Sequence, residues 1–304
     1  MTPGSPSALT QRINDFIEAQ QLPDDFQIVV NDYYLPLAHW LHNKVVSGET
    51  LVVGINGAQG TGKSVLSAVL KIILEHTWAD RVAILSLDDI YLTRHERQTL
   101  AQSVHPLLHT RGVPGTHDVE LGIDIIEQLK TLKPGQSMRL PRFDKALDDR
   151  KPSTAWEIFT GPTDLILFEG WCVGATPLDT DNLDTPINDL EAAADRDGQW
   201  RRYINEQLQG PYRTLFAALN TLIMLQAPDF GCIRRWRIEQ EVKLATSNPS
   251  GTASAIMDER TIIRFIQHYE RLTQHNLREM PHRADVVLSL DSRHQVTDMC
   301  YKAS

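Results

Sequence analysis

Eight residues constrain this chain more than any other stretch. Gly57-Ala58-Gln59-Gly60-Thr61-Gly62-Lys63-Ser64 reads G-x-x-x-x-G-K-S. The apolar run Leu51-Val52-Val53-Gly54-Ile55 precedes it, and Val65, Leu66, Val69, Leu70 and Ile73 follow at helical spacing. A strand that turns through glycines into a helix N-terminus is a phosphate site. Its backbone N–H groups point inward and the helix dipole favours negative charge. The pattern predicts that Gly57, Gln59, Gly60, Thr61 and Gly62 wrap the phosphates of a nucleoside triphosphate. It predicts Lys63 at the β- and γ-phosphates and the Ser64 hydroxyl on Mg²⁺.

The rest of the chain repeats the strand-then-helix rhythm. Short apolar runs at Leu51–Ile55, Val82–Leu87, Leu165–Phe168, Thr221–Leu225 and Val286–Leu290 read as strands. Helical patterns cover 62–76, Val119–Lys130, 200–219, 230–245 and 259–276. The expected class is α/β: a P-loop NTPase fold with a mostly parallel five-stranded sheet and helices on both faces. We read 1–304 as one domain. Residues 1–10 read as a loose tail within a helical N-terminal extension of about 1–47. Excursions leave strand ends at about 88–160 and 172–198, where open α/β sheets bind ligands. The second carries Asp179, Asp181, Asp184, Asp189, Glu191, Asp195 and Asp197. Their loose spacing reads as an acidic surface loop, not a calcium loop.

Composition removes several function classes. The net charge of −9 argues against a dominant basic face for nucleic acid. Cys172, Cys232 and Cys300 lie in no CxxC pair, so neither a disulfide framework nor a zinc site is indicated. Met1 to Ala8 has no apolar signal region, and no run is long enough for a membrane span. A cytoplasmic protein without a membrane partner is expected.

Charged residues gather at the strand ends and on the excursions. Asp88, in Ser86-Leu87-Asp88-Asp89-Ile90-Tyr91, is placed to accept a hydroxyl proton beside the phosphate loop; Asp89 is the alternative, and either can cap a helix instead. Glu169 follows four apolar strand residues, as a Mg²⁺-side carboxylate does. Arg111-Gly112-Val113-Pro114-Gly115-Thr116-His117-Asp118 is a rigid polar loop. Asp118 or Thr116 caps the helix at Val119, while Arg111 and His117 are free to bind an anion. Pro141-Arg142-Phe143-Asp144-Lys145 adds Arg142 and Lys145. Arg234, Arg235 and Arg237 on one helix read either as a lid over a transferring phosphoryl group or as an ordinary basic face.

In combination these residues resemble the D-glycerate 3-kinase family, within the phosphoribulokinase, uridine kinase and pantothenate kinase branch of P-loop kinases. The matching pieces are GAQGTGKS (57–64), SLDDIYLT (86–93), RGVPGTHD (111–118), PRFDKA (141–146), FEGW (168–171), WRIEQE (236–241) and ADVVLSL (284–290), in family order. The resemblance implies Asp88 as base and Glu169 with Ser64 at the metal. It implies Tyr91, Arg111, His117, Arg142 and Lys145 around the acceptor. Arg234 and Arg237 would act on the phosphoryl group, with Arg235 on the nucleotide. Two features depart from the family pattern: the continuation Leu147-Asp148-Asp149-Arg150-Lys151 and the acidity of 172–198.

The expected activity is phosphoryl transfer from ATP to a hydroxyl of a small anion, D-glycerate first. The alternatives are another small acceptor (pantothenate, a nucleoside or a phosphosugar) or a regulatory nucleotide-binding ATPase. The last lacks support from any N-K-x-D motif or from a D-E pair after the third strand, where Glu169-Gly170 stands.

Overall fold

The computed structural model describes residues 6–23, 25–247 and 259–302. Six strands make the main sheet: β1 (Leu51–Gly57), β2 (Val82–Ser86), β3 (Leu165–Gly170), β4 (Thr221–Gln226), β5 (Val286–Leu290) and β6 (Val296–Tyr301). Their order is β6-β5-β4-β1-β3-β2. Every pairing is parallel except β5 with β6.

Side-chain alternation explains why the strands read as nearly continuous apolar runs. Val53, Ile55, Leu165 and Leu167 enter one core layer, while Val52, Ala83, Leu85, Ile166 and Phe168 enter the other. A sheet covered on both faces needs apolar residues at both parities. The first layer is closed by the helix Lys63–Thr77 through Leu66, Leu70 and Ile73, and by N-terminal helices through Ile13, Leu37 and Leu41. The second is closed by the helix Val119–Thr131 through Ile125, Ile126 and Leu129, and by Tyr212 and Leu215.

Four expectations need correction. The sheet has six strands, not five. β6 is an edge strand in which only Val296 is buried, so it lacks an apolar run. Its turn is held by the Asp291 carboxylate, which accepts from the N–H groups of Arg293 and Gln295. Residues 6–10 are helical rather than a loose tail, because the helix Pro6–Ala19 is anchored by fully buried Ile13, and residues 1–5 lie outside the described residues. The stretch 200–219 is two helices, Gln199–Gln209 and Pro211–Phe216, broken at Gly210-Pro211.

The fourth correction concerns the acidic excursion, which is not wholly a surface loop. Asp179, Asp181, Asp184, Asp189 and Asp197 are exposed, but Glu191 and Asp195 have no exposed surface. Asp195 Oδ2 lies 2.9 Å from Arg201 Nη1 and Asp195 Oδ1 accepts from Trp200 N–H at 2.8 Å. Glu191 Oε1 accepts from Arg271 Nε at 2.8 Å. Buried carboxylates persist because each has a guanidinium and further donors. They fasten the excursion to the helices Gln199–Gln209 and Glu259–Glu279.

Candidate active site

The C-terminal ends of β1, β2 and β3 meet in a cleft of about 570 Å³. β1 runs into the loop 57–62 and then the helix Lys63–Thr77. Gly62 is that helix's N-cap at φ +89°, a conformation only glycine adopts without strain, and no side chain caps the N-terminus. The first-turn N–H groups therefore point at open space. Thr61 is buried, and both its N–H and its hydroxyl donate to the Ala58 carbonyl, so its side chain braces the loop. Lys63 Nζ donates to the same carbonyl at 3.0 Å.

Glu169, next to last in β3, accepts from the Ser64 hydroxyl at 2.9 Å. Asp88 stands on the single 3-10 turn Leu87–Ile90 that follows β2. Its Oδ1 accepts from Tyr91 Oη and its Oδ2 from Lys145 Nζ, both at 2.7 Å. Asp89 turns toward the loop 141–144, accepting from Phe143 N–H at 3.0 Å and Arg142 Nη1 at 2.9 Å. Of the two aspartates, Asp88 therefore engages the cleft-lining Tyr91 and Lys145, and Asp89 fastens a loop. Arg111, Arg237, Gln59 and Gly60 complete the lining with Trp171, Gln240, Phe265 and Tyr269.

No family model matches the chain. It is 30% identical over 255 residues to the chloroplastic D-glycerate 3-kinase of Arabidopsis thaliana, across 78% of this chain and 52% of that protein. It is 30% identical over 235 residues to an uncharacterized kinase, mug58, of Schizosaccharomyces pombe, across 73% of this chain and 79% of that protein. The solved structure of D-glycerate 3-kinase from Cryptococcus neoformans superposes with a TM-score of 0.72 at 25% identity, covering 92% of this chain and 100% of that one. The chain belongs to the D-glycerate 3-kinase family of P-loop kinases. It spans about half the length of the plant member of the family.

Electrostatics separate the groups in this family cleft. Burial lowers the Lys63 pKa, and Glu169 and Asp88 offset only part of that. Burial alone would raise Asp88, but Lys145, the Tyr91 hydroxyl and Lys63 outweigh it and hold the carboxyl below its ordinary value. Asp88 is thus an anion at neutral pH. Asp89 moves the other way: burial raises it despite Phe143 N–H and Arg142.

Several residues expected at the acceptor, the phosphoryl group or the nucleotide lie elsewhere. His117 is buried behind Tyr91, its ring stacked 4.6 Å away, and Nδ1 meets the Tyr212 hydroxyl at 2.5 Å. Burial pushes its pKa down to about 3, so it contributes no positive charge. Arg142 is held between Asp89 and Glu157. Arg234 and Arg235 line a separate groove with Asn188, Gln267 and Glu270, and Arg235 Nη2 lies 2.7 Å from Cys232 Sγ. Of the three arginines only Arg237 reaches the cleft, over the Phe265 ring at 5.9 Å. Arg235 and Arg237, two positions apart, lie on different faces of the helix, and Arg234, although three positions before Arg237, lines the neighbouring groove. Asp118 caps the helix at Val119 by accepting from Leu121 N–H.

Tyr269, which no motif announced, acts together with Trp171 of the FEGW segment. Tyr269 Oη donates to the Arg111 carbonyl at 3.0 Å, and Trp171 Nε1 donates to the Gly112 carbonyl at 2.7 Å. The rings meet edge to face at 4.9 Å. Gly112 sits at φ +130°, and a Cβ there would lie 2.1 Å from Tyr269 Oη. The backbone that carries Arg111 is thereby clamped. In the sequence Tyr269 was one apolar position on an amphipathic helix, with Phe265 four residues before it.

Among the described residues no cluster of three or more His, Cys, Asp or Glu side chains is arranged to hold a metal ion. The residues at the loop nevertheless fit a Mg²⁺-bound triphosphate. The helix N-terminus is uncapped, and a hydroxyl and a carboxylate, the hard oxygen donors Mg²⁺ takes, stand together beside it. No helix among the described residues is long and apolar enough to cross a membrane.

Proposed function

We propose that this chain is an ATP-dependent kinase that phosphorylates a hydroxyl of a small anionic metabolite, with D-glycerate as acceptor and 3-phosphoglycerate as product. The observation that carries the reading is one cleft shared by an uncapped phosphate loop, Glu169, an anionic Asp88 and Arg111. Bound Mg²⁺ would neutralise phosphate charge and polarise the γ-phosphoryl group.

The protein's own groups do the rest. Ser64 and Glu169 supply oxygens on the metal side. Lys63 leaves the Ala58 carbonyl for the phosphates. Asp88 accepts the proton of the acceptor hydroxyl, and Tyr91 orients its carboxylate by donating to Oδ1. Arg111 receives the acceptor carboxylate, and Arg237 closes on the phosphoryl oxygens. The reading treats the sheet and both excursions as one domain in a reducing cytoplasm, supported by the free thiols of Cys172, Cys232 and Cys300.

Two acceptor-side cations line the cleft, Arg111 and Lys145, rather than four. Pantothenate, also a monocarboxylate, can meet the same two cations and is the second reading. ADP release measured against D-glycerate, pantothenate, nucleosides and phosphosugars separates the readings. A preference of several orders for another acceptor overturns glycerate. Asp88→Asn should lower kcat by about 10²–10⁴-fold with ATP affinity nearly unchanged. Retained turnover in that variant removes Asp88 from the base role.

A further inference from the structure

We infer that Asp148 is a built-in stand-in for the acceptor's carboxylate, and that the acceptor binds by taking its place on Arg111. The inference rests on the carboxylate-acceptor reading above and adds the residue that sets how tightly the anion is held.

The small hairpin of Phe143–Asp144 with Asp149–Arg150 carries two charged side chains at its tip, and both engage groups of the cleft. Lys145 lies on Asp88, and Asp148 lies on Arg111. An ammonium thus sits at the base and a carboxylate at the acceptor arginine, the charge pattern that an anionic acceptor would displace. Arg111 is otherwise ready for a ligand. Its guanidinium is 5.5 Å from the Phe143 ring, and Nη1 makes its hydrogen bond to Asp148.

Asp148 is not free to follow Arg111. Its Oδ2 is 2.9 Å from Arg97 Nη2, which also donates to the Asp148 carbonyl at 2.7 Å. Arg97 is itself locked: it is 1% exposed, with Nε on the Leu92 carbonyl and Nη1 on the His109 carbonyl. When Arg111 turns to a ligand, Asp148 keeps Arg97, so no carboxylate is left without a partner. The bond given up joins two partly exposed side chains and is weak. A neutral molecule cannot make the exchange and leaves Arg111 neutralised in place. The 147–151 stretch that departs from the family pattern is therefore where this chain adjusts its anion affinity.

The test uses the full-length enzyme and Asp148→Asn, which removes the charge and keeps a side chain for Arg97. KM for D-glycerate should fall about two- to fivefold, consistent with a partly exposed ion pair. kcat should change less than twofold, and KM for ATP should stay the same. KM for the neutral methyl ester of glycerate should not move. Asp148→Glu should restore the parent KM. A KM for the carboxylate that is unchanged or raised in Asp148→Asn overturns the inference. Phenylglyoxal labelling of Arg111, mapped by mass spectrometry, needs no turnover. It should be faster in Asp148→Asn, and D-glycerate should protect the residue. Equal labelling in the two proteins also overturns the inference. Absence of turnover with every carboxylate acceptor, alongside faster Arg111 labelling, instead sinks the kinase assignment and leaves the pair intact.

Discussion

Lowering the pH should weaken this fold through His117, by an amount the structure lets us work out. The ring is 4% exposed, stacked on Tyr91, and bonded at Nδ1 to Tyr212. Among the described residues its buried Nε2 has no hydrogen-bond partner, so the cationic ring would hold an N–H there with no acceptor. Burial pushes the folded pKa down to about 3, against 6.5 in the unfolded chain. Below pH 6.5 the unfolded chain therefore takes a proton that the folded protein refuses until about pH 3. The contribution is fully present above 6.5 and is lost as the pH falls, at about 1.4 kcal/mol per unit in the middle of that window. Between pH 7 and pH 5 the loss is about 2 kcal/mol, a substantial part of a total stability of roughly 5–15 kcal/mol. The measurement is urea unfolding of the parent and His117→Gln at both pH values. The variant gives up the stacking and the Tyr212 contact equally at each pH, so only the difference of differences reports protonation. A pH-dependent loss that is the same in both proteins, within about 0.5 kcal/mol, would refute the reasoning.

Two further outcomes follow from the cleft. Gly112→Ala forces a Cβ to 2.1 Å from Tyr269 Oη in a left-handed backbone. It should raise KM for the acceptor about tenfold or more while ATP binding, followed by calorimetry, stays close to that of the parent. Arg237→Gln should lower kcat about 10²–10³-fold, whereas Arg234→Gln and Arg235→Gln, whose side chains line another groove, should stay within about threefold in a steady-state assay. Equal losses in all three would return the whole run to the lid.

Legibility depended on how local each feature is. Gly57 to Ser64 form one contiguous turn, so their residue order is their geometry. Asp88 and Glu169 could be placed because each stands just after an apolar run, and parallel strands deliver their ends to one edge. Arg111 and His117 shared one motif, six positions apart, yet one lines the cleft and the other lies under Tyr91. That difference comes from the loop's path between Gly112 and Asp118, which pattern reading does not resolve. β6 is not legible in the sequence because an edge strand shows water a polar face, and Glu191 and Asp195 read as solvated because only the fold brings Arg271 to one and buries Arg201 against the other.

The sequence alone determined the phosphate loop, the alternation of the five apolar strands with helices, and the family. Those features rest on contiguous residues and on the periodicity that two-sided burial imposes. Only the tertiary structure decided which charges act. Pairing across distant segments turned Arg142 into a brace, and burial made His117 neutral. Arg234 and Arg235 face another groove, and Asp148 sits on Arg111 with Arg97 behind it. A charged residue's type says what it can bind, but the strength of its field depends on burial and on the nearest counter-charge, and the fold brings both from elsewhere in the chain.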